Sequence, residues 1–576
     1  MAARVRSSVR LLCLLGALLS CSCVVAGKLF LLQIMDSHRM SALAAEQRLR
    51  TVALPAHRGS LLASDSSELA ISLDMQTIFA SPRFIADPTS AAAAIAPILK
   101  MNPERLAAKL SGDSGFVYVA RKVEPAVAEK VRALDISGIE FMAEQKRFYP
   151  SGVLAGQVLG FVGDDNRGLA GLEMKYDHLL QGDPGEVVME RDPGGRPIPS
   201  GRSSVRDAVG GQDLVLTIDK QIQFEAQAAL DRAIETWGAQ GGSVVVMDPR
   251  NGDILAMANA PSFDPNDLKS STASDRKNRA VTDVYEPGSV SKLITAAAAL
   301  ESGVTSPSEV LRVADHLKIG AKTFKDSHNH PVENLSFAQV IQLSSNVGTI
   351  KIAERLGKTR LHDYLVRFGY GRVTGLGFPG ESAGILARPE KWWATSLGTI
   401  SIGQGVAVTP LQMVQAYATV ANDGVEVKPR LVQAVVGPEG DRQAVGLAAP
   451  RRVIQEETAR QLTEILVGVT EGDDGTGKAA AIPGYRVAGK TGTAQKPLQG
   501  AAGYSGYVAS FVGFAPADDP RLVVGVILDD PTPFLAGSTA AVTFKEVMGF
   551  SLRRVGAQVE LGRLVEGAPL GAPARN

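Results

Sequence analysis

Apolar and polar positions divide the chain into three kinds of segment. Near the start, Leu11 to Gly27 carries no charge, and the apolar character resumes after Lys28 with Leu29-Phe30-Leu31-Leu32. Read to Leu32, this run is long enough to span a bilayer, with the Lys28 stem snorkelling to the far interface. Much further on, Ser243-Val244-Val245-Val246-Met247 and Asp253-Ile254-Leu255-Ala256-Met257 flank Arg250-Asn251-Gly252, which predicts a β-hairpin. An alternating run from Tyr485 to Lys490 predicts a third strand, followed by Val508 to Phe514 and Leu522 to Leu528, the last two joined through Pro516 to Pro520. Strands from the two ends of this region predict one antiparallel five-stranded sheet, with the residues between supplying a helical lobe.

Inside that lobe the pattern turns helical. Lys292-Leu293-Ile294-Thr295-Ala296-Ala297-Ala298-Ala299-Leu300 strongly favours helix and is closed by Gly303. Phe337 to Leu343 follows a cap at Ser336, and Val347 to Leu356 ends at Gly357, so Ser344-Ser345-Asn346 falls in a bend between two short helices.

Three short motifs punctuate these elements in order: Ser289-Val290-Ser291-Lys292, Ser344-Ser345-Asn346 and Lys490-Thr491-Gly492. Together they describe a serine acyltransferase site. Its chemistry needs a nucleophilic hydroxyl beside a basic amine, a second hydroxyl and an amide, and a cationic strand edge facing a substrate carboxylate. A helix start at Ser289 puts Lys292 one turn on and on the same face, with helix N-terminal N–H groups close by. Alone, each motif has an ordinary reading. Ser274-Asp275-Arg276-Lys277 repeats the first pattern in a polar stretch with no apolar face, and Ser-Ser-Asn suits any tight turn. Gly492 inside a strand points to a place where a substrate backbone comes close.

Arg279 to Ser289 (Arg-Ala-Val-Thr-Asp-Val-Tyr-Glu-Pro-Gly-Ser), Ser-Ser-Asn-Val-Gly at 344 to 348, Gly403-Gln404-Gly405 with Thr409-Pro410-Leu411-Gln412, and Lys490-Thr491-Gly492-Thr493-Ala494 resemble class B penicillin-binding proteins, the monofunctional D,D-transpeptidases that cross-link peptidoglycan. The likeness runs from about Arg58 to about Gly549. Glu286 before Pro287-Gly288 resembles the division-specific, septal enzymes; elongation-type relatives more often have a second proline there. The resemblance implies an α+β (α-β) penicillin-binding transpeptidase fold, with an N-terminal pedestal (dimerisation-type) domain and a single transmembrane anchor. It divides the chain into a cytoplasmic tail at 1–10, an anchor at 11–32, a pedestal at 51–206, a transpeptidase domain at 207–554 and a flexible tail at 555–576. In the pedestal, Arg58-Gly59 with Leu69-Ala70, and Gly168-Leu169-Ala170-Gly171-Leu172-Glu173, match motifs that bind the module together and against the catalytic domain. Where relatives continue with an Asp-Arg-Asn-Gly-like turn, this chain has Ala63-Ser64-Asp65-Ser66.

Site roles also follow from the resemblance. Ser289 is the implied nucleophile on the D-Ala-D-Ala bond of a stem peptide, and Lys292 is the general base. That role requires a pKa well below the lysine reference of about 10.4, through burial and a nearby positive charge such as Lys490. Ser344 relays the proton and Asn346 holds the substrate amide. Backbone N–H groups of Ser289 and Thr493 form the oxyanion hole, and Lys490, Thr491 and Thr493 hold the terminal carboxylate beside Gly492. Beta-lactams, as mimics of the substrate, open on Ser289. No metal or organic cofactor is implied. The implied partners are stem peptides, a membrane-embedded glycan polymerase and division proteins. An elongation-type paralogue would share the chemistry. The intact motif set argues against a silent scaffold, and no signalling domain of a beta-lactam-sensing receptor is visible.

Composition narrows the setting. The chain has 576 residues, 45% hydrophobic, with zero formal net charge, so it can fill at least two domains. Zero net charge and only 5% aromatic residues give no nucleic-acid-binding signature. Arg4, Arg6 and Arg10 before the apolar run place the N-terminus in the cytoplasm and the catalytic part outside, on the periplasmic side of the inner membrane. A cleaved signal peptide has the same outline, and Leu18-Leu19-Ser20-Cys21 has that of a lipoprotein cleavage box; the resemblance implies an uncleaved anchor. Cys13, Cys21 and Cys23 all lie in this segment, leaving the exported part without thiol or disulfide. His328-Asn329-His330 has ligand-like spacing but no third ligand, and reads as an exposed loop after Lys325-Asp326. The glycines from Gly369 to Gly377 do not join a strand to a helix as a nucleotide loop would. Trp392-Trp393 reads as packing or the wall of a groove.

Overall fold

A computed structural model describes residues 2–35, 49–190, 203–497, 503–532 and 539–559. The tail expectation beyond residue 559 lies outside them. The chain divides into two compact units, one of residues 1–57 and 182–210 and the other of 58–181 and 211–576, so the expected 51–206 segment contributes to both.

In the first unit, Ala2–Phe30 is one helix that continues through a wider turn at Leu31–Met35, so residues 2–10 are helical with the apolar run. Val9–Ile34 is long and apolar enough to cross a membrane, and its side chains are exposed because no protein covers them. The same unit holds an antiparallel sheet in the order Leu49–Leu54, Gly185–Glu190, Ser203–Arg206.

The second unit is built on a five-stranded antiparallel sheet. Its strands in chain order are β1 (Gly241–Met247), β2 (Ile254–Ala260), β3 (Ala488–Pro497), β4 (Tyr504–Ala515) and β5 (Leu522–Asp529), arranged β2-β1-β5-β4-β3. β1, β2, β5 and the later half of β4 read as nearly continuous apolar runs because both faces are covered. Along β1, Val244 and Val246 pack with the helices Lys220–Trp237 and Thr539–Arg554, while Val245 and Met247 join the core of the helical lobe. Gly252, at φ +82°, closes the hairpin at the expected Asn-Gly. β3 begins at Ala488, three residues later than the alternation from Tyr485 suggests, because the Tyr485 N–H is taken by the Ile482 carbonyl in a turn.

In the lobe, α1 (Lys292–Glu301) is buried from Lys292 to Leu300, which explains an apolar run without an amphipathic face. α2 (Phe337–Gln342) carries the expected cap as a full capping box between Ser336 and Gln339, and α3 (Asn346–Leu356) ends at Gly357.

A feature the periodicity does not show is a seven-stranded sheet that joins the expected pedestal to the catalytic part. The two-residue strand Leu61–Leu62 lies parallel to Asp213–Leu216, which pairs with Val432–Val436. The Ala63-Ser64-Asp65-Ser66 departure forms the tight turn after it. Ser66 takes a left-handed φ of +66°, and Asp65 accepts from the Ser67 N–H at 3.0 Å. The Arg58 guanidinium donates to Glu173 at 2.8 and 2.6 Å and to Asp177 at 2.7 Å, and Arg147 donates to the other Glu173 oxygen at 2.7 Å. Glu173 is wholly buried and both arginine side chains nearly so. Removing one member of such a set strands the others as unpaired buried charges. Glu173→Ala is therefore expected to destabilise the fold by about 3–5 kcal/mol, visible as a lower melting temperature of the detergent-solubilised chain. A loss below about 1 kcal/mol, the range of exposed pairs, would contradict the buried-network reading.

Candidate active site

Ser289 sits in a tight helical turn, Gly288–Ser291, that leads directly into α1. Its position comes from backbone contacts on two sides. Gly288 has φ +55°, and a Cβ there would stand 2.5 Å from the Thr493 carbonyl oxygen on β3. On the other side the Gly288 N–H donates to the Gly403 carbonyl at 2.9 Å. Only glycine meets both the conformation and the spacing. The Glu286 carboxylate accepts from the Gly405 N–H at 2.9 Å, so the Gly403-Gln404-Gly405 loop braces the same turn. Below it, Ser291 shares a hydrogen bond with the Tyr370 hydroxyl at 2.8 Å, and the Tyr417 hydroxyl donates to the Val290 carbonyl at 3.0 Å. Ser289 itself is half-buried, and its hydroxyl has no hydrogen-bond partner among the described residues.

One turn on, the Lys292 amine is completely buried. It donates to the Ser344 carbonyl at 2.6 Å and to the Asn346 side-chain oxygen at 2.8 Å, and lies 3.3 Å from the Ser344 hydroxyl. Ser344 has φ +60°, an uncommon left-handed conformation for a residue with a side chain, in a bend where both its carbonyl and its hydroxyl reach the amine. The first and second motifs therefore converge on one nitrogen. Burial lowers the Lys292 pKa to about 7, against the opposing pull of the Asp326 carboxylate.

The third motif lies on β3, an edge strand of the sheet. Lys490 is fully buried and reaches the Thr476 hydroxyl at 3.3 Å and the Thr491 hydroxyl at 3.5 Å; Thr491 in turn donates to Thr476 at 3.2 Å. Burial, and then the charge of Lys292, push Lys490 well below the ordinary lysine range. The expected repulsion therefore shows on Lys490. Lys292 owes its shift to burial. Gly492 has a steric reason besides the one its strand position suggests. A Cβ there would meet the Ser510 hydroxyl on β4 and stand 2.9 Å from Val290 and 3.0 Å from the Pro287 carbonyl, so the absent side chain makes room for the neighbouring strand and the nucleophile turn.

Two site residues carry no sequence signal, Thr476 in a glycine-rich loop and Asp326 in a polar one. Asp326 accepts from the Asn346 and Val347 N–H groups at 2.5 and 3.0 Å and from the Ser345 hydroxyl at 2.7 Å. The expected exposed His328-Asn329-His330 loop is only half right. His328 is exposed, whereas the His330 side chain is 7% exposed and its Nε2 lies 3.2 Å from Asp326. Among the described residues no cluster of potential metal ligands occurs. Trp392 donates to the Ala387 carbonyl at 2.8 Å, and Trp393 projects outward beside it at 83% exposure. Ser274 and Lys277 of the second Ser-x-x-Lys lie exposed in a turn. A cavity of about 800 Å³ opens next to the catalytic cluster, lined by Tyr285, Glu286 and Gly405 and by Gln495 and Lys496 at the far end of β3. Ser289, Lys292 and Thr491 do not line it, so the chemistry sits beside this cavity rather than within it.

Residues 242–549 match the penicillin binding protein transpeptidase domain, and residues 53–216 match the penicillin-binding protein dimerisation domain. The chain belongs to the class B penicillin-binding proteins. It is 36% identical to penicillin-binding protein PbpB of Mycolicibacterium smegmatis over 93% of this chain and 89% of that protein. It is 32% identical to peptidoglycan D,D-transpeptidase FtsI of Escherichia coli over 95% and 92%. The crystal structure of penicillin binding protein 3 from Mycobacterium tuberculosis complexed with aztreonam superposes with a TM-score of 0.70 at 32% identity, covering 91% of this chain and all of that one. All three motifs of this penicillin-binding protein fall inside the transpeptidase match, and the Arg58–Glu173 network falls inside the dimerisation match. Among the described residues, the one long apolar helix, Val9–Ile34, fits a single-pass membrane anchor.

Proposed function

We propose that this class B penicillin-binding protein is the septal peptidoglycan D,D-transpeptidase of its cell, acting through a Ser289 acyl-enzyme on stem peptides ending in D-Ala-D-Ala. The observation that carries the reading is the buried Lys292 amine, one turn after Ser289, held by Ser344 and Asn346 at 2.6 and 2.8 Å. A neutral amine has two N–H donors. Those two bonds occupy both and leave the lone pair for the Ser289 proton. The Ser289 oxygen then bonds to the carbonyl carbon of the penultimate D-alanine. The C–N bond breaks, and terminal D-alanine leaves with a proton relayed from Lys292 through the Ser344 hydroxyl. A stem amine from a neighbouring strand attacks the ester, giving its proton back along the same path and releasing Ser289.

Backbone N–H groups of Ser289 and Thr493 stabilise the oxyanion, each contributing about 3 kcal/mol. Lys490, with the Thr491 and Thr493 hydroxyls, receives the terminal carboxylate. Burial pushes Lys490 toward its neutral form, and a carboxylate placed beside it favours the charged one. A peptide laid along the edge of β3 runs toward Gln495 and Lys496 at the mouth of the cavity. Beta-lactams enter by the same route and remain on Ser289.

Glu286 before Pro287-Gly288 supports the septal subdivision. The basic start supports a cytoplasmic N-terminus and an extracytoplasmic catalytic part, with a membrane-embedded glycan polymerase and division proteins as partners. The test is to incubate the full chain in detergent with glycan strands bearing pentapeptide stems, and to follow a fluorescent fusion in dividing cells. Release of D-alanine with new cross-links, and midcell localisation, are expected. Intact pentapeptides would contradict the activity, and a lateral-wall pattern would contradict the septal role.

A further inference from the structure

The Ser-Ser-Asn bend is held from outside its own helices by a single carboxylate. One Asp326 oxygen accepts from the Asn346 N–H at 2.5 Å and the Val347 N–H at 3.0 Å. The other accepts from the Ser345 hydroxyl at 2.7 Å and faces His330 Nε2 at 3.2 Å. Asn346 adds a strap to the same loop by donating its side-chain amide to the Lys325 carbonyl at 2.8 Å. The Asp326 side chain is 5% exposed, and carboxylates at such depth are retained where every lone pair is used. Two of the bonded N–H groups begin α3, where a helix lacks internal acceptors and favours negative charge. The contact is therefore more than a loop tether, because Asn346 and Ser344 are the groups that hold the Lys292 amine.

We propose that Asp326, oriented by His330, is a positioning residue for the acyl-transfer site. It fixes the Ser344–Asn346 bend against the Lys292 amine, and its charge opposes the burial that favours the neutral amine. The proposal rests on the reading of Lys292 as the base that accepts the Ser289 proton. The charged groups around this assembly are few. Lys292 faces Asp326 and, across the site, Lys490. His330 faces Asp326, Glu333 at 3.5 Å, the charge of Asp315 and the ring of His328; His316 pairs with Asp315 on the neighbouring strand. Burial works against the His330 cation, yet its bonds to the Pro331 carbonyl and to Asp326 leave its pKa above the ordinary histidine value. Protonation of His330, favoured by these bonds, partly offsets the Asp326 charge.

The signs follow directly. The Asp326 carboxylate favours the protonated Lys292, so removing its charge lets Lys292 become neutral at lower pH. Removing the His330 cation leaves Asp326 less balanced and keeps Lys292 protonated to higher pH.

The test measures the rate of Ser289 acylation by a chromogenic beta-lactam against pH for the detergent-solubilised full chain, Asp326→Asn and His330→Gln, with melting temperatures alongside. Asp326→Asn keeps an oxygen for the Asn346 and Val347 N–H groups, so the bend can still form. Expected is an acid limb shifted down by about one pH unit in Asp326→Asn, as for loss of a nearby opposite charge, with a plateau lowered about tenfold or more by imperfect positioning. In His330→Gln the limb moves to higher pH. Acid limbs of both variants superposing on the wild type would overturn the proposal, even if melting temperatures fall, since that is the mark of a merely structural loop. If the wild type itself shows no acylation of Ser289, it is the underlying reading of the site that fails.

Discussion

Replacing Lys292 by methionine is expected to slow acylation of Ser289 by a beta-lactam by about 10²–10⁴-fold, the range for loss of a positioned general base, without loss of fold. The two side chains are similar in length, and the position is wholly buried inside the apolar core of the lobe. Methionine brings no charge to desolvate, but it leaves the Ser344 carbonyl and the Asn346 side-chain oxygen without the amine that donated to them, a cost of about 1–3 kcal/mol, so the melting temperature should fall modestly while the chain still folds. A rate loss of that size in a chain that still melts cooperatively separates the loss of the base from a damaged fold. The pH profile adds a second signature. Lys292 has a pKa lowered to about 7 and works in its neutral form, so wild-type acylation rises with pH through about 7 and levels off above it. The methionine variant keeps its residual rate but loses that rise. A variant that retained the wild-type rate and limb would remove Lys292 from the mechanism.

Much of this site was legible in the sequence because it is written in local patterns. The apolar helix after Ser289 places the nucleophile and Lys292 one turn apart, and the Ser336 cap and Gly357 bracket the bend that carries Ser344 and Asn346. Four of the five sheet strands were readable because burial on both faces leaves runs with few polar interruptions, whereas β3, at the sheet edge, showed only in the alternation before it. What escaped is held by contacts between distant residues. Tyr370 and Tyr417 support the nucleophile turn from positions 79 and 127 residues away from their partners, and nothing in their own neighbourhood distinguishes them from core tyrosines. Asp326 and Thr476 come from polar loops, where composition predicts only solvent exposure. Leu61–Leu62 is too short to show any alternation, although it links the expected pedestal and catalytic strands in one sheet. At Gly492 only the structure shows Ser510, Val290 and Pro287 crowding the space a side chain would need.

Ser289→Ala is expected to abolish both acylation and transpeptidation while leaving the fold unchanged. The hydroxyl has no hydrogen-bond partner among the described residues, so its removal orphans none of them. The turn that carries it is held by Gly288, Glu286, Ser291 and Val290, none of which depends on that oxygen. No neighbouring hydroxyl can substitute. Ser291 is buried and committed to Tyr370, and Ser344 projects from a different element, 3.3 Å from the Lys292 amine. The most direct test is to label the purified full chain with a fluorescent penicillin beside Ser289→Ala, determine the intact mass and map the modified peptide. One adduct per chain on the peptide containing Ser289, absent from the variant, is the expected result. An adduct on another residue, or none on a demonstrably folded wild-type chain, would contradict the assignment of Ser289 as the nucleophile.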